Sequence, residues 1–268
     1  MRYVRKTDSP RLSWLGAAGE SFAELARLHR ATSGMLAAMS DVELNPTRPS
    51  ETSGQVVVFD FDGTLVSRDS FLDFMVSYCV RRPLRLLFVV ALLPLALPLA
   101  LRSLAPAASL LLWAITVGTS TRSFASAVSR YAKETLPSYA NDAIFLELTR
   151  HLERGNRVVI ATGSLPLLVR GLLRARQLGP IPIVGTRLRR RGCGLTTETH
   201  CTGSTKVREL HRKLGIREWW TVYTNSFADR SLLRSARDII LVDPSERTVR
   251  CTRRLVGGGA PLRVMRRG

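Results

Sequence analysis

Acidic residues are scarce in this chain, with 21 Asp and Glu against 40 Lys and Arg and a formal net charge of +19. The shortage is uneven: the first 54 residues hold 7 basic and 6 acidic groups, and the rest hold 33 and 15. The body of the protein therefore favours anionic partners or surfaces. Cysteine is scarce as well. Cys79, Cys193, Cys201 and Cys251 have no CxxC spacing, which argues against a zinc ribbon and a disulfide framework and fits a reducing compartment. Cys193, His200 and Cys201 find no fourth ligand nearby in sequence, so no structural zinc is expected. Met1 to Leu15 lacks the apolar run of roughly 7–15 residues that marks a signal peptide, so export is not expected.

What is present is enough for a folded α/β body. The 268 residues and 45% hydrophobic content exclude a disordered chain and a polytopic membrane protein, yet permit one membrane-contacting segment. Residues 1–54 end in a Pro/Ser/Thr-rich stretch and read as a flexible extension with a weakly amphipathic helix around Phe22 to Leu36. Nothing chemical lies before Met39, which is an alternative start. From Val56 onward, short apolar runs recur at Val56–Phe59, Val158–Ala161, Ile181–Val184, Trp220–Tyr223 and Ile239–Val242. Helical patterns separate most of them, including Pro166–Leu178 and Lys206–Leu214. Such alternation predicts a doubly wound, Rossmann-like parallel sheet with helices on both faces and ligands beyond the carboxyl ends of the strands.

Residues 55–68 and 155–268 then form the core, and 69–154 are too many for a crossover helix, so they predict an inserted helical cap. Chemistry concentrates where the first strand ends. Asp60-Phe61-Asp62-Gly63-Thr64-Leu65 follows the apolar run without a gap, and alternation puts Asp60 and Asp62 on one side of the chain. One carboxylate can attack phosphorus while the other handles protons, and Gly63 permits a sharp exit from the strand. Burial near Asp60 is expected to raise the pKa of Asp62 through like charge.

These residues resemble the first motif of the haloacid dehalogenase superfamily of phosphatases, and three further motifs follow in order. Val158 to Ser164 is similar to the second, in which Thr162 would hydrogen-bond phosphoryl oxygens; Lys206 in Gly203-Ser204-Thr205-Lys206 is similar to the third. Tyr223 to Asp229 is similar to the fourth, an acidic pair spaced by four, although Asn225 stands at the first acidic position. The resemblance implies an aspartyl-phosphate on Asp60, acid/base chemistry at Asp62, and Mg²⁺ held by Asp60, Asp62, Asn225 and Asp229. It also implies that Thr64, Asp69, Gly163 and Ser164 surround the substrate. Asp69 matches an acidic cap-entrance position in the phosphoserine-phosphatase-like branch, and reads equally well as an N-cap for a helix over Phe71–Val80.

The cap narrows the expectation. From Leu86 to Thr121 the only charge is Arg102, preceded by Arg81, Arg82 and Arg85 and interrupted by Pro94 and Pro98. This run, with Ser109 to Trp113, Ala161 to Ser164 and the Gly203-x-x-Lys206 arrangement, resembles the phosphatidylglycerophosphatase C family. That resemblance implies phosphatidylglycerol phosphate as substrate. The run from Leu86 to Trp113 is apolar all round, but Leu86 to Leu101 alone is 16 residues, short of the roughly 20 needed to span a bilayer, so segment 86–121 is expected to enter the lipid as a Pro-broken hairpin. The expected location is the cytoplasmic face of the inner membrane, with a cytoplasmic location as the alternative. Arg187–Arg191 and the seven arginines after Glu246 would attract anionic phospholipid. They lack interleaved aromatics, so nucleic acid is not the expected partner. The competing readings are a soluble phosphoserine-like phosphatase and a catalytically impaired protein binding anionic lipid or nucleic acid.

Overall fold

The computed structural model describes residues 54–102, 104–257 and 259–266; the extension and the Phe22–Leu36 helix lie outside them. The first strand, β1 (Val56–Phe59), is central because Val57, Val58 and Phe59 are fully buried, as a strand covered on both faces must be. It pairs in parallel with β2 (Arg157–Ala161) on one side and β6 (Trp219–Thr224) on the other. Three more strands, β3 (Ile183–Val184), β7 (Ala236–Val242) and β8 (Leu262–Met265), complete the sheet. Its six strands run in the order β3-β2-β1-β6-β7-β8 and are parallel throughout. Strand order therefore reverses at β1, and the crevice beyond its carboxyl end is the switch point where ligands bind in such sheets.

Alternation along the strands builds two buried layers. Val58, Val159, Val222, Ile239 and Leu241 pack with Trp219 and with helices α7 (Ser204–Leu214) and α8 (Arg230–Arg234), through Leu210, Leu232 and Leu233. On the opposite face Phe59 stacks on Tyr223 with ring centroids 4.3 Å apart, and His151 sits edge-on to both. Helix α6 (Pro166–Ala175) follows β2, and α9 (Glu246–Val256) follows β7. Edge strand β8 goes beyond the sequence expectation, because its pattern is half exposed and carries Arg263; that arginine pairs with Asp238 on β7.

Between β1 and β2 lie α1 (Ser70–Val80), α2 (Pro83–Arg102), α3 (Leu104–Thr116), α4 (Thr121–Glu134), a 3-10 turn (Leu136–Tyr139) and α5 (Asp142–Glu153). Phe74 and Tyr78 of α1 meet Phe124 of α4 edge-on at 5.6 and 5.7 Å, and Phe74 meets Tyr131 at 5.5 Å. The expected break at Pro94 and Pro98 does not occur: α2 runs through both. The prolines stand four apart, so the missing N–H groups fall on one face, while the leucines and alanines between them favour helix.

The arginine run Arg187–Arg191 forms strand β4, paired with β5 (Gly194–Thr199) in an antiparallel hairpin absent from the sequence expectation. The signals for it in the sequence are Gly192, whose φ of +58° suits a tight hairpin turn, and the β-branched residues of β5. The hairpin is seated on α3: Leu195 N donates to Thr116 Oγ1 at 2.8 Å, and Trp113 Nε1 donates to the Arg191 carbonyl at 3.0 Å.

Candidate active site

Asp60 leaves β1 with its backbone N–H donating to the Tyr223 carbonyl at 2.9 Å, so it is still held in the sheet at the switch point. Its side chain is buried. Oδ1 accepts from the Phe61 N–H at 2.8 Å and from Lys206 Nζ at 2.7 Å. Lys206 comes from the first turn of α7, which is entered through Gly203. Its ammonium also lies 2.9 Å from the Asp229 carboxylate, whose Oδ2 accepts from Thr224 Oγ1 at 2.9 Å. Two carboxylates thus share one buried ammonium.

Electrostatics follow from that arrangement. Burial pushes the Asp60 carboxyl well above its usual range, Lys206 opposes this, and the Asp229 and Asp62 charges add to it. Burial works against the charge of Lys206, but the Asp60 and Asp229 carboxylates outweigh it and hold its pKa above the ordinary lysine value.

Asp62 is clamped on both oxygens. Oδ1 accepts from Ser70 N at 2.8 Å and from Ser70 Oγ at 2.6 Å, and Oδ2 accepts from Thr162 Oγ1 at 3.2 Å. Its pKa is raised, first by burial and against the Ser70 hydrogen bonds. The like charge that adds to the rise is that of Asp69 rather than the expected Asp60.

The loop after β2 supplies the next residues. Thr162 Oγ1 accepts from Ser164 N at 2.9 Å, and Ser164 Oγ lies 2.8 Å from Ser70 Oγ. Thr162, expected on phosphoryl oxygens, thus donates to Asp62 here. The Gly163 carbonyl accepts from Thr186 Oγ1 at 2.5 Å, which pins the loop to the chain entering β4. Thr64 is fully buried, and its hydroxyl has no hydrogen-bond partner among the described residues.

Asn225 directly follows β6. A Cβ placed on Gly63, whose φ is +74°, would lie 2.0 Å from Asn225 Nδ2, so the amide fills the space a side chain would need. Gly63 therefore serves both the turn and this contact. Asp69 is the N-cap of α1: Oδ1 accepts from Leu72 N at 2.9 Å.

The structure therefore brings Asp60, Asp62, Thr162, Ser164, Lys206 and Asp229 into one buried site, with Asn225 against Gly63 and Asp69 at the rim. Two further members are not singled out by the sequence: Ser70 follows an N-cap and belongs to no motif, and Thr224 lies within the fourth motif but reads there as a strand residue. Cys193 is exposed and Cys201 buried, and among the described residues no group of three or more His, Cys, Asp or Glu side chains is placed to hold a metal ion by itself.

Residues 57–234, more than half of the chain, match the family described as haloacid dehalogenase-like hydrolase. The chain belongs to that family. Solved structures share its fold at low identity. A protein of unknown function from Bordetella pertussis Tohama I is 18% identical with a TM-score of 0.60, covering 79% of this chain and 99% of its own. A phosphoserine phosphohydrolase-like protein from Francisella tularensis subsp. tularensis SCHU S4 is 13% identical with a TM-score of 0.50, covering 78% of this chain and 94% of its own. A cytosolic 5'-nucleotidase IIIB bound to cytidine is 15% identical with a TM-score of 0.51, covering 78% and 80%. For this family member, the order of its four motifs along the chain becomes one crevice at the carboxyl end of β1.

Proposed function

We propose that this protein is a Mg²⁺-dependent phosphomonoesterase that forms an aspartyl-phosphate on Asp60 and acts at a membrane surface, with phosphatidylglycerol phosphate as its substrate. The observation that carries the reaction is the pairing of two carboxylates with different surroundings. Asp60 is bonded to an ammonium, which favours the ionised nucleophile; Asp62 is bonded only to neutral donors, which leaves it free to carry a proton. Asp60 attacks phosphorus, the bond to the leaving oxygen breaks, and Asp62 gives that oxygen its proton. The restored Asp62 carboxylate then takes a proton from water as water attacks the aspartyl-phosphate. Lys206 offsets charge on the phosphoryl group.

A divalent cation fits the donor set. Asp60 and Asp229 share the single positive charge of Lys206, and the Asp62 carbonyl and the Asn225 amide can add neutral oxygens, a donor set of the kind a hard divalent cation takes. Asp60, the Asp62 carbonyl, Asn225 and Asp229 would hold Mg²⁺, which would supply charge stabilisation to the phosphoryl group.

The lipid part of the reading rests on exposed apolar surface. Leu84, Leu87, Leu97 and Leu101 of α2 are 81, 66, 67 and 85% exposed, and Leu72, Val76 and Val80 form an exposed stripe along α1. Contiguous exposed apolar surface of this kind marks a membrane or partner contact. Arg81, Arg82 and Arg85 stand where the two helices meet, and Arg85 is held by the Tyr78 hydroxyl at 3.1 Å and the Ile115 carbonyl at 3.0 Å. Each such cation near an anionic leaflet is worth about 1 kcal/mol. Among the described residues no helix is long and apolar enough to cross a membrane, which accords with lying in the interface.

A substrate panel on vesicles tests both halves. Phosphatidylglycerol phosphate should outcompete soluble phosphomonoesters, and Leu87→Asp, Leu97→Asp and Leu101→Asp together should release the protein from vesicles while sparing hydrolysis of 4-nitrophenyl phosphate. Unchanged vesicle binding would remove the membrane reading, and absence of hydrolysis with every phosphomonoester would remove the phosphatase.

A further inference from the structure

The Asp62 carboxylate belongs to a closed ring of hydrogen bonds. Oδ1 accepts from Ser70 Oγ at 2.6 Å, Ser70 Oγ meets Ser164 Oγ at 2.8 Å, Ser164 N donates to Thr162 Oγ1 at 2.9 Å, and Thr162 Oγ1 closes the ring on Oδ2 at 3.2 Å. Ser70 adds its backbone N–H to the same Oδ1 at 2.8 Å. It is the one member of the ring contributed by the cap side, as the first residue of α1, and it is fully buried.

The Ser70 hydroxyl is already committed at both ends, so it is not a group that acts on substrate itself. Its geometry instead fixes the rotamer of Asp62. Two short donors on Oδ1 make that oxygen the acceptor end of the carboxyl group, while Oδ2 accepts from Thr162 Oγ1 at a longer 3.2 Å and is the oxygen left to carry and release a proton. We propose that Ser70 is the positioning residue of the acid/base, holding Asp62 so that Oδ2 faces the leaving oxygen and tying that orientation to the seating of α1. The proposal rests on the acid/base reading of Asp62.

The leaving group supplies a readout that a purely structural role would not move. An alkyl phosphomonoester needs its departing oxygen protonated, whereas 4-nitrophenolate leaves without help, and kcat/KM isolates the step up to leaving-group departure for both. Ser70→Ala should lower kcat/KM for glycerol 1-phosphate by roughly ten- to hundredfold while changing that for 4-nitrophenyl phosphate by less than about threefold. Ser70→Thr keeps the hydroxyl and should keep the wild-type ratio. Ser70→Cys, which retains volume but donates weakly, should shift the ratio in the same direction as Ser70→Ala and serves if the alanine variant does not fold.

A cycle with Asp62→Asn separates this proposal from the reading beneath it. In the Asp62→Asn background Ser70→Ala should have no further effect on kcat/KM. An equal loss on both substrates, an unchanged ratio, or a full Ser70→Ala effect in that background would overturn the positioning role. If Asp62→Asn itself left the alkyl ester's kcat/KM unchanged, the acid/base reading would fail instead.

Discussion

Lys206 Nζ lies 2.7 Å from Asp60 Oδ1, and the two are linked across 146 residues of sequence in the interior of the protein. The same ammonium serves Asp229, so removing it strands two buried carboxylates. Breaking a buried pair from one side costs about 3–5 kcal/mol. Lys206→Met should therefore destabilise the protein by that order, read from urea denaturation at neutral pH. The Asp60 pKa is already raised by burial, and losing Lys206 removes the main opposing influence. A raised acid pKa means stability is retained at low pH and lost as pH rises, so the penalty should shrink on acidification. A penalty that is flat with pH would contradict the shared-ammonium description.

Asn225 leaves the proposed cation site one negative charge short of a fully acidic motif. EDTA should abolish turnover and Mg²⁺ restore it. Asn225→Asp should lower the Mg²⁺ concentration for half-maximal activity by roughly tenfold, because ligand charge sets affinity for a hard cation. Turnover that survives EDTA, or a half-maximal concentration that does not move, would show that this position does not hold the ion.

Asp69 separates two roles by substitution. Asp69→Ala removes the cap on α1 and should cost about 1 kcal/mol, whereas Asp69→Asn keeps an accepting oxygen and should cost only a few tenths. Chemical denaturation of the two variants checks this, and equal costs would show that charge rather than capping is what position 69 supplies.

His151 should give the fold an acid-sensitive term. Its pKa is lowered from 6.5, chiefly by burial, with Nε2 3.0 Å from the Tyr223 hydroxyl and Nδ1 2.9 Å from Asn156 Nδ2. A histidine held neutral when folded lets the unfolded chain bind protons first, so stability is full above 6.5 and declines as pH falls below it. The melting temperature of the wild type should fall between about pH 7 and pH 5.5, and His151→Gln should flatten that part of the profile. An unchanged slope in the variant would assign the acid sensitivity to other groups.

Much of the core is legible in the residues themselves. Val56–Phe59 leading into Asp60, and the spaced apolar runs after it, demand strands buried on both faces, and the sheet needs little else to define its direction. Lys206 and Asp229 are visible because their motifs sit at strand ends and helix starts. Ser70 is not, since a buried serine after an N-cap has the same local pattern as an exposed one, and only the fold carries it to Asp62. The prolines of α2 mislead for the opposite reason: the local rule that proline breaks a helix is outweighed by the leucines and alanines around them. The arginines of β4 conceal a strand because their charge dominates the composition while their backbone pairs with β5.

Gly63 and Asn225 interlock, the missing side chain of one making room for the amide of the other. Over evolutionary time such a pair cannot drift freely. An Asp at position 225 is nearly the same shape and leaves Gly63 undisturbed, so the charge of the site can be changed in one substitution. Any side chain at position 63 must instead displace the residue at 225 and adopt a strained backbone at once. The crevice is thus free to vary its charge at one of these two positions and barred from varying its shape at the other.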